Sequence, residues 1–336
     1  MQHFHYNQPF TLECGRSLPG ISIAFHTYGE YSPTAKVVWV CHALTANSDV
    51  ADWWKGVVGP GEVLNPGEYF IVCANILGSC YGTTGPLSED PATGKPWYHD
   101  FPLITIRDMV QAHVLLRQHL GIQRIHLLMG GSMGGYQAME WSVTEPERIE
   151  RLFLLATSPT ESAWGIAVHT TQRLAIEADA SWASSTPQAG LKGMKAARAV
   201  GMLTYRNYGI MVQKQTDPDT EKIDDYKAAA YISYQGDKLV SRFNAFTYWQ
   251  LTKAMDSHHL ARGRGGNLEA VLQSIYQKTL IIGISSDILC PLEEQRFIRQ
   301  HVPHASLVEI DSAYGHDGFM VEGEKISKAL REWLAQ

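Results

Sequence analysis

A serine enclosed by glycines is the clearest chemical signal in the sequence. Ser132 lies in the run Gly130-Gly131-Ser132-Met133-Gly134-Gly135, which satisfies the pattern G-x-S-x-G. The run follows an aliphatic segment and opens a helical pattern, so it predicts a sharp strand-to-helix turn that exposes the serine hydroxyl. Glycines are needed on both sides because a side chain there would collide with a neighbouring strand or helix. The motif therefore predicts a serine nucleophile for acyl transfer.

A serine nucleophile needs an imidazole base, and the base needs an orienting acid. Around this kind of turn, the acid and then the histidine follow the serine along the chain. His316 lies in a loop between the last strand pattern and the final helical pattern, and it is the predicted base. Asp287 follows the strand pattern of residues 279–284 and is the predicted acid, in preference to Asp311 on the loop of His316. We therefore predict a catalytic triad of Ser132, Asp287 and His316.

Acyl transfer also needs backbone N–H groups that stabilise the tetrahedral oxyanion. One predicted donor is the N–H of Met133, the residue after the nucleophile. The other is the N–H of Leu44, in the loop of residues 41–47 that follows an early strand pattern. His42 of the same loop is interpreted as a buried, hydrogen-bonded residue that shapes the loop.

The elements that must position these residues are short apolar strand patterns separated by helical patterns. Near-continuous apolar runs are typical of strands that are buried on both faces of a parallel sheet. The strand patterns cover residues 37–41, 69–73, 124–129, 151–155, 279–284 and 306–310. Helical patterns cover residues 107–120, 133–143 and 325–334. The alternation predicts the α/β class, and with the serine motif it predicts an α/β-hydrolase fold whose doubly wound sheet is mostly parallel.

Strand patterns stop between residues 158 and 267, where helical stretches rich in alanine, tyrosine and methionine replace them. These stretches cover residues 172–180, 191–205, 226–234 and 239–255. We interpret residues 158–267 as a helical lid inserted into a hydrolase core of residues 1–157 and 268–336. Ligands of such sheets bind outside the carboxyl ends of the strands, so an insertion there would shape the pocket.

Composition excludes several classes of protein. The chain has 336 residues, 28 Lys and Arg against 34 Asp and Glu, and a net charge of −6, which does not favour binding to nucleic acid or anionic membranes. The longest apolar runs are far shorter than the ~18 residues of a spanning helix. The N-terminus has no signal-peptide pattern, and the five cysteines include no C-x-x-C. We therefore expect a cytoplasmic protein with free thiols and no bound metal.

Two further segments resemble one enzyme family. His42-Ala43-Leu44-Thr45 resembles the oxyanion loop of the homoserine O-acetyltransferases, and residues 75–86, with the sequence NILGSCYGTTGP, resemble their long glycine-rich segment. The serine motif, Ser286-Asp287 and Gly315-His316-Asp317 occur in the family order. The resemblance extends over nearly the whole chain.

The resemblance implies a ping-pong reaction in which Ser132 takes an acetyl group from acetyl-CoA and passes it to the hydroxyl of L-homoserine. It implies that Arg206, in the pair Tyr205-Arg206, binds the homoserine carboxylate and that Asp317 binds the amine. Acetyl-CoA is a co-substrate, and no cofactor is expected. A homodimer formed through the lid helices is implied as well.

Several alternatives remain open from the sequence. Relatives that accept a succinyl donor resemble this family but place an arginine shortly after the triad acid. Ile288 and Leu289 stand there, which favours an acetyl donor over a homoserine O-succinyltransferase. The other possible enzymes are a serine O-acyltransferase and a carboxylesterase of the same fold. A non-catalytic binding protein is disfavoured, because only chemistry requires a serine, an acid and a histidine together.

Overall fold

The computed structural model describes residues 1–336 and has an eight-stranded sheet at its centre. The strands are β1 (Gln2–Tyr6), β2 (Ile21–Tyr28), β3 (Lys36–Cys41), β4 (Tyr69–Ala74), β5 (Leu127–Gly131), β6 (Arg151–Leu155), β7 (Lys278–Ile284) and β8 (Ala305–Ile310). Their order across the sheet is β1-β2-β4-β3-β5-β6-β7-β8. Only β2 runs antiparallel to its neighbours, β1 and β4. The remaining pairs are parallel, which confirms the predicted sheet.

Helices cover both faces of this sheet. They are α1 (Val50–Trp53), α2 (Ile106–His119), α3 (Met133–Thr144), α4 (Ala163–Glu177), α5 (Leu191–Tyr205), α6 (Tyr208–Gln215), α7 (Lys227–Val240), α8 (Ala245–Asp256), α9 (Leu268–Gln273), α10 (Leu292–His301), α11 (Gly318–Val321) and α12 (Gly323–Leu334). In β3, Val37 and Trp39 belong to one apolar core, and Val38 and Val40 belong to the other. Burial on both faces explains why the parallel strands have continuous apolar runs in the sequence.

Three strand predictions need correction. β1 and β2 are missing from the predicted strands, because they lie at the antiparallel edge and their sequences, QHFHY and ISIAFHTY, are not continuous apolar runs. The strand predicted for residues 124–129 begins only at Leu127, because the Ile125 N–H donates to the carbonyl of Arg148 outside the ladder. The other strand bounds agree with the sequence patterns within one residue.

Five helices, α4 to α8, occupy the range predicted for the lid. Helix α4 begins nine residues before the predicted residue 172, because the Ser162 hydroxyl accepts from the N–H of Gly165 and caps the helix there. The single helix predicted for residues 239–255 is wrong: α7 ends at Val240, and α8 begins after Asn244, whose side chain accepts from the Thr247 N–H.

Ion pairs connect the segment that follows α8 to the hydrolase core. Arg107 Nη1 lies 2.9 Å from Glu13 Oε1, and Arg262 also pairs with Glu13. Arg264 Nη1 donates to Glu140 Oε2 at 2.8 Å. All five cysteines are free thiols. None of the helices combines the length and the apolar character needed to cross a membrane.

Candidate active site

The serine motif forms a strained turn between β5 and α3. Ser132 has a φ of 54°, in the left-handed region that residues other than glycine rarely adopt. Its N–H donates to the carbonyl of Leu155 at 2.9 Å, and its carbonyl accepts from the Thr157 hydroxyl at 2.8 Å. A methyl group on Gly134 would collide with the carbonyl of Cys41, and one on Gly130 would collide with Gly134. The backbone of the strands therefore fixes the serine, and the glycines make its conformation possible.

The structure brings Ser132, His316 and Asp287 together. The Ser132 hydroxyl lies 2.8 Å from His316 Nε2, and His316 Nδ1 lies 2.7 Å from Asp287 Oδ2. The second carboxylate oxygen, Oδ1, accepts from the N–H groups of Leu289 at 2.8 Å and Cys290 at 2.9 Å. Asp287 is therefore held at both oxygens, and it orients the imidazole so that Nε2 can accept the serine proton.

Opposing influences act on the His316 imidazole. Burial lowers the pKa of His316, but the charge and hydrogen bond of Asp287 raise it, and the charges of Asp317 and Glu161 add to the rise. The net pKa lies above the ordinary value for histidine. The ring therefore holds a proton more readily than a free imidazole does, which suits a base that becomes an imidazolium during the reaction.

The two predicted oxyanion donors lie beside the nucleophile. Leu44 and Ser132 line the same cavity, and Met133 is the first residue of α3. Neither the Leu44 N–H nor the Met133 N–H donates to another protein group, so both are free for an oxyanion. His42 is buried: its Nδ1 donates to the Ala43 carbonyl, and its Nε2 accepts from the Ile76 N–H. Burial lowers the pKa of His42 to about 4, which agrees with a neutral ring that shapes the loop.

The glycine-rich segment braces this oxyanion loop. The Asn75 side chain accepts from the Ser48 N–H at 2.8 Å and donates to the Tyr81 carbonyl at 2.7 Å. Gly78 has a φ of +88°, and a methyl group there would collide with Ile104. Asn75 thus ties the segment to the loop that carries Leu44, which gives the family-like sequence a structural role beside the oxyanion donors.

Arg206 and Asp317 contact each other in the structure. Arg206 Nε lies 3.2 Å from Asp317 Oδ2, as an ion pair without the geometry of a directed hydrogen bond. Gly315, with a φ of +66°, has no room for a side chain because the backbone of Tyr205 and Arg206 lies against it. The end of α5 therefore touches the loop that carries His316. Burial raises the pKa of Asp317, while the charge of Arg206 opposes that rise.

One cavity of about 520 Å³ joins these residues. Ser132, His316, Arg206, Asp317 and Leu44 all line it. Its walls also hold polar residues that the sequence analysis did not select, namely Asp52, His169, Arg198, Gln235, Lys238 and Arg242. No local motif marks them: Asp52 lies on the short helix α1, and the placement of the other five depends on how the lid helices pack.

Asp287, Cys290 and His316 are the one group of three side chains close enough to bind a metal, with donor atoms within 4.8 Å of one another. Two of these three residues already bind each other through Asp287 Oδ2 and His316 Nδ1. Burial also raises the pKa of the Cys290 thiol well above its ordinary value, so the sulfur stays protonated. The donor set suits a hydrogen-bonded triad better than a metal site.

The sheet topology and the hydrogen-bonded Ser132, His316 and Asp287 are those of an α/β-hydrolase-type protein. The family model for the alpha/beta hydrolase fold matches residues 36–323. The homoserine O-acetyltransferase of Cyclobacterium marinum is 46% identical over 99% of this chain and 95% of its own length. The crystal structure of the homoserine O-acetyltransferase from Bacillus anthracis superposes with a TM-score of 0.91 at 25% identity, covering 100% of this chain and 97% of that one.

Esterase E22 has the same fold, with a TM-score of 0.90 at 24% identity, covering 99% of both chains. That likeness concerns the fold alone. The close relationship over nearly the full length is to the acetyltransferases, so the chain belongs to the homoserine O-acetyltransferase family.

Proposed function

We propose that this protein transfers an acetyl group from acetyl-CoA to the hydroxyl of L-homoserine and forms O-acetyl-homoserine. The observation that carries this proposal is the 46% identity over 99% of the chain to a homoserine O-acetyltransferase. The geometry of the cavity supports it, because Ser132 and the oppositely charged Arg206 and Asp317 line the same cavity.

In the first half-reaction, the Ser132 hydroxyl gives its proton to His316 Nε2 while its oxygen attacks the thioester carbonyl. The N–H groups of Leu44 and Met133 stabilise the oxyanion. The carbon–sulfur bond then breaks, and the CoA thiolate takes the proton from Nε2. The serine is left as an acetyl ester, and Asp287 stabilises the imidazolium that forms on the way.

In the second half-reaction, the homoserine hydroxyl replaces CoA. It gives its proton to Nε2 and attacks the acetyl ester, and the Ser132 oxygen leaves with that proton. Arg206 would bind the acceptor carboxylate, and Asp317 would bind its ammonium group. Both proton transfers use His316, so the reaction needs no cofactor besides the co-substrate.

An acetyl donor is proposed over a succinyl donor. A succinyl group would place a second carboxylate near the triad acid, and that carboxylate needs a cationic or polar partner when it is buried. Ile288 and Leu289 stand directly after Asp287, and Leu289 lines the cavity. The chain therefore offers the cavity an apolar side chain, and no arginine, directly after the triad acid.

The test is thiol release from acetyl-CoA or succinyl-CoA, each with homoserine, serine or water as the acceptor. We expect fast turnover with acetyl-CoA only when homoserine is present. Preference for succinyl-CoA would change the donor and keep the mechanism, whereas preference for serine would change the acceptor. Steady release of CoA without an amino acid would identify a hydrolase and overturn the proposal.

A homodimer formed through the lid is proposed as well. Large apolar or aromatic side chains are exposed on α5, α6, α7 and the segment before α7, namely Leu203, Tyr208, Val212, Ile223, Tyr226 and Tyr234. A patch of this kind is typical of an interface between proteins. Sedimentation should show a dimer that dissociates in Tyr208→Asp, while a monomeric wild type would contradict the proposed dimer.

A cytoplasmic location is proposed too. The five free thiols suit a reducing, cytoplasmic compartment.

A further inference from the structure

The lid wall of the active-site cavity carries more positive charge than the acceptor can use. Apart from the histidines, the charged lining residues are four cations and two carboxylates, namely Arg198, Arg206, Lys238, Arg242, Asp52 and Asp317. L-Homoserine is a zwitterion and needs one cation and one carboxylate, which Arg206 and Asp317 provide. Three cations and one carboxylate remain, and none of them forms an ion pair in the structure, namely Arg198, Lys238, Arg242 and Asp52.

Two of these cations, Lys238 and Arg242, lie with Gln235 in a stripe along α7 and the residues just after it. Gln235, Lys238 and Arg242 are spaced by three and four residues, which places them on the same side of the helix and its C-terminal end. All three line the cavity. Lys238 and Arg242 are exposed, whereas Ser132 and His316 are buried. The stripe therefore lies towards the mouth of the cavity, and the nucleophile lies at its base.

Most N–H groups of the Arg242 guanidinium have no acceptor in the protein. Its Nη1 donates to the Thr45 carbonyl at 2.7 Å and also contacts the Tyr81 hydroxyl. Its Nε and Nη2 donate to no protein group, and the residue is exposed. A guanidinium has five N–H donors in a planar fork, so three of them have no acceptor in the protein while the two on Nη1 hold the side chain against Thr45 and Tyr81.

We propose that Lys238 and Arg242 form the subsite for the phosphate groups of the acyl-CoA donor. The inference rests on the proposed use of an acyl-CoA donor and adds the residues that recognise it. A CoA thioester is reactive at one end and carries a diphosphate and a 3′-phosphate at the other, separated by a long, mostly uncharged arm. A cavity with the nucleophile at its base and unpaired cations at its mouth matches that distribution of charge. An ester substrate of a hydrolase would have no use for them.

The test compares acetyl-CoA with S-acetylpantetheine, a thioester with the same reactive end and no phosphate. In the wild type, we expect kcat/KM for acetyl-CoA to exceed that for S-acetylpantetheine by about a hundredfold or more, because charge-assisted contacts are lost. Lys238→Ala should lower kcat/KM for acetyl-CoA about tenfold, mainly through a higher KM, and the remaining kcat/KM should depend less on the salt concentration. Lys238→Arg should restore kcat/KM for acetyl-CoA. Lys227→Ala, on the same helix but outside the cavity, is the matched control.

The outcomes separate the subsite from the proposed function. An equal loss with both donors in Lys238→Ala would show that the lysine acts on the fold of the lid, and it would overturn the subsite. Equal kcat/KM for the two donors in the wild type would overturn it too. No transfer from either donor by the wild type would instead overturn the proposed function. Arg242→Ala is the second variant: because Arg242 also holds Thr45, we expect a loss with both donors that is larger for acetyl-CoA.

Discussion

In the active-site cavity, Ser132, His316 and Asp287 form an unbroken chain of hydrogen bonds, whereas the side chains of Arg206 and Asp317 form an ion pair with each other. The triad distances are 2.7 and 2.8 Å, and its three residues are at most 7% exposed. The side chains of Arg206 and Asp317 are 23% and 19% exposed, and their ion pair lacks directed geometry. The triad is already aligned for the proposed acyl transfer, whereas the proposed acceptor would meet two charged side chains that pair with each other.

The difference follows from which elements hold each group. Ser132 and Asp287 lie on the segments that follow β5 and β7, and His316 and Asp317 are neighbours on the loop after β8. Arg206 alone comes from the helical region, at the end of α5, and its charge and that of Asp317 neutralise each other across 3.2 Å. A zwitterion can replace one internal pair by two new pairs. A ligand with a single charge would leave the other side chain without a partner, which is costly in a partly buried site.

Removing the nucleophile should produce the largest effect. Ser132→Ala is expected to lower the rate of acetyl transfer by about 10⁴-fold or more, because no other group can form the acyl-enzyme. Mass spectrometry after mixing with acetyl-CoA should show an acetyl adduct on the wild type and none on the variant. Ser142→Ala, in the same helix, removes a buried hydroxyl that donates to the Met139 carbonyl and serves as the control. An adduct on Ser132→Ala would mean that another residue is the nucleophile.

Removing either side of the ion pair should impair mainly the step in which the acceptor reacts. Arg206→Ala and Asp317→Ala are each expected to lower kcat/KM for homoserine by about a hundredfold, because a charge-assisted contact is lost and its partner stays unpaired. The double variant should lose less than the product of the two effects. 4-Hydroxybutyrate and 3-aminopropanol, which carry one charge each, should be poor acceptors.

The acceptor prediction has an internal control in the first half-reaction. Release of one equivalent of CoA without acceptor should stay close to wild type in Arg206→Ala. Lys195→Ala breaks an exposed lid ion pair with Asp237 that lies outside the cavity, and it should leave both half-reactions unchanged. If Arg206→Ala abolishes CoA release, the arginine acts on the donor and the proposed clamp is wrong.

The pH dependence of acylation links the two regions. The charge of Asp317 contributes to the raised pKa of His316, so Asp317→Asn should lower that pKa. His316 must be neutral to accept the serine proton, and the acid limb of kcat/KM for acetyl-CoA should therefore move to lower pH by a fraction of a unit. Asp311→Asn, which removes a carboxylate bonded to Ser285, is the control and should leave the profile in place. A shift to higher pH would contradict the assigned charge effect.

The residues at the sheet edge could be predicted from the sequence because each has a local signal. Gly130 and Gly134 mark the turn around Ser132, and a strand pattern comes before Asp287. In contrast, Lys238 and Arg242 acquire their place only when α7 packs over the cavity. No periodicity distinguishes a helix face that lines a pocket from one that faces solvent.

The contact between Arg206 and Asp317 also could not be predicted. Resemblance assigned the two residues to opposite ends of one substrate, and nothing in the sequence indicated that they pair without it. Gly315 was noted only as part of a motif, although its missing side chain allows the loop of His316 to approach α5. Close approach of two backbones depends on tertiary packing, so a single sequence does not reveal it.

The smallest expected effect concerns the helix break that sequence patterning missed. Apolar spacing continues from α7 into α8, so residues 239–255 read as one helix, but the Asn244 side chain caps the Thr247 N–H at 2.8 Å. Asn244→Ala should lower the free energy of unfolding by about 1 kcal/mol, measured by urea denaturation, because a buried N–H loses its acceptor. Asn244→Asp keeps an acceptor and should recover most of the loss. If Asn244→Ala is as stable as the wild type, the cap does not determine where α8 begins, and packing of its apolar face against the other lid helices must do so instead.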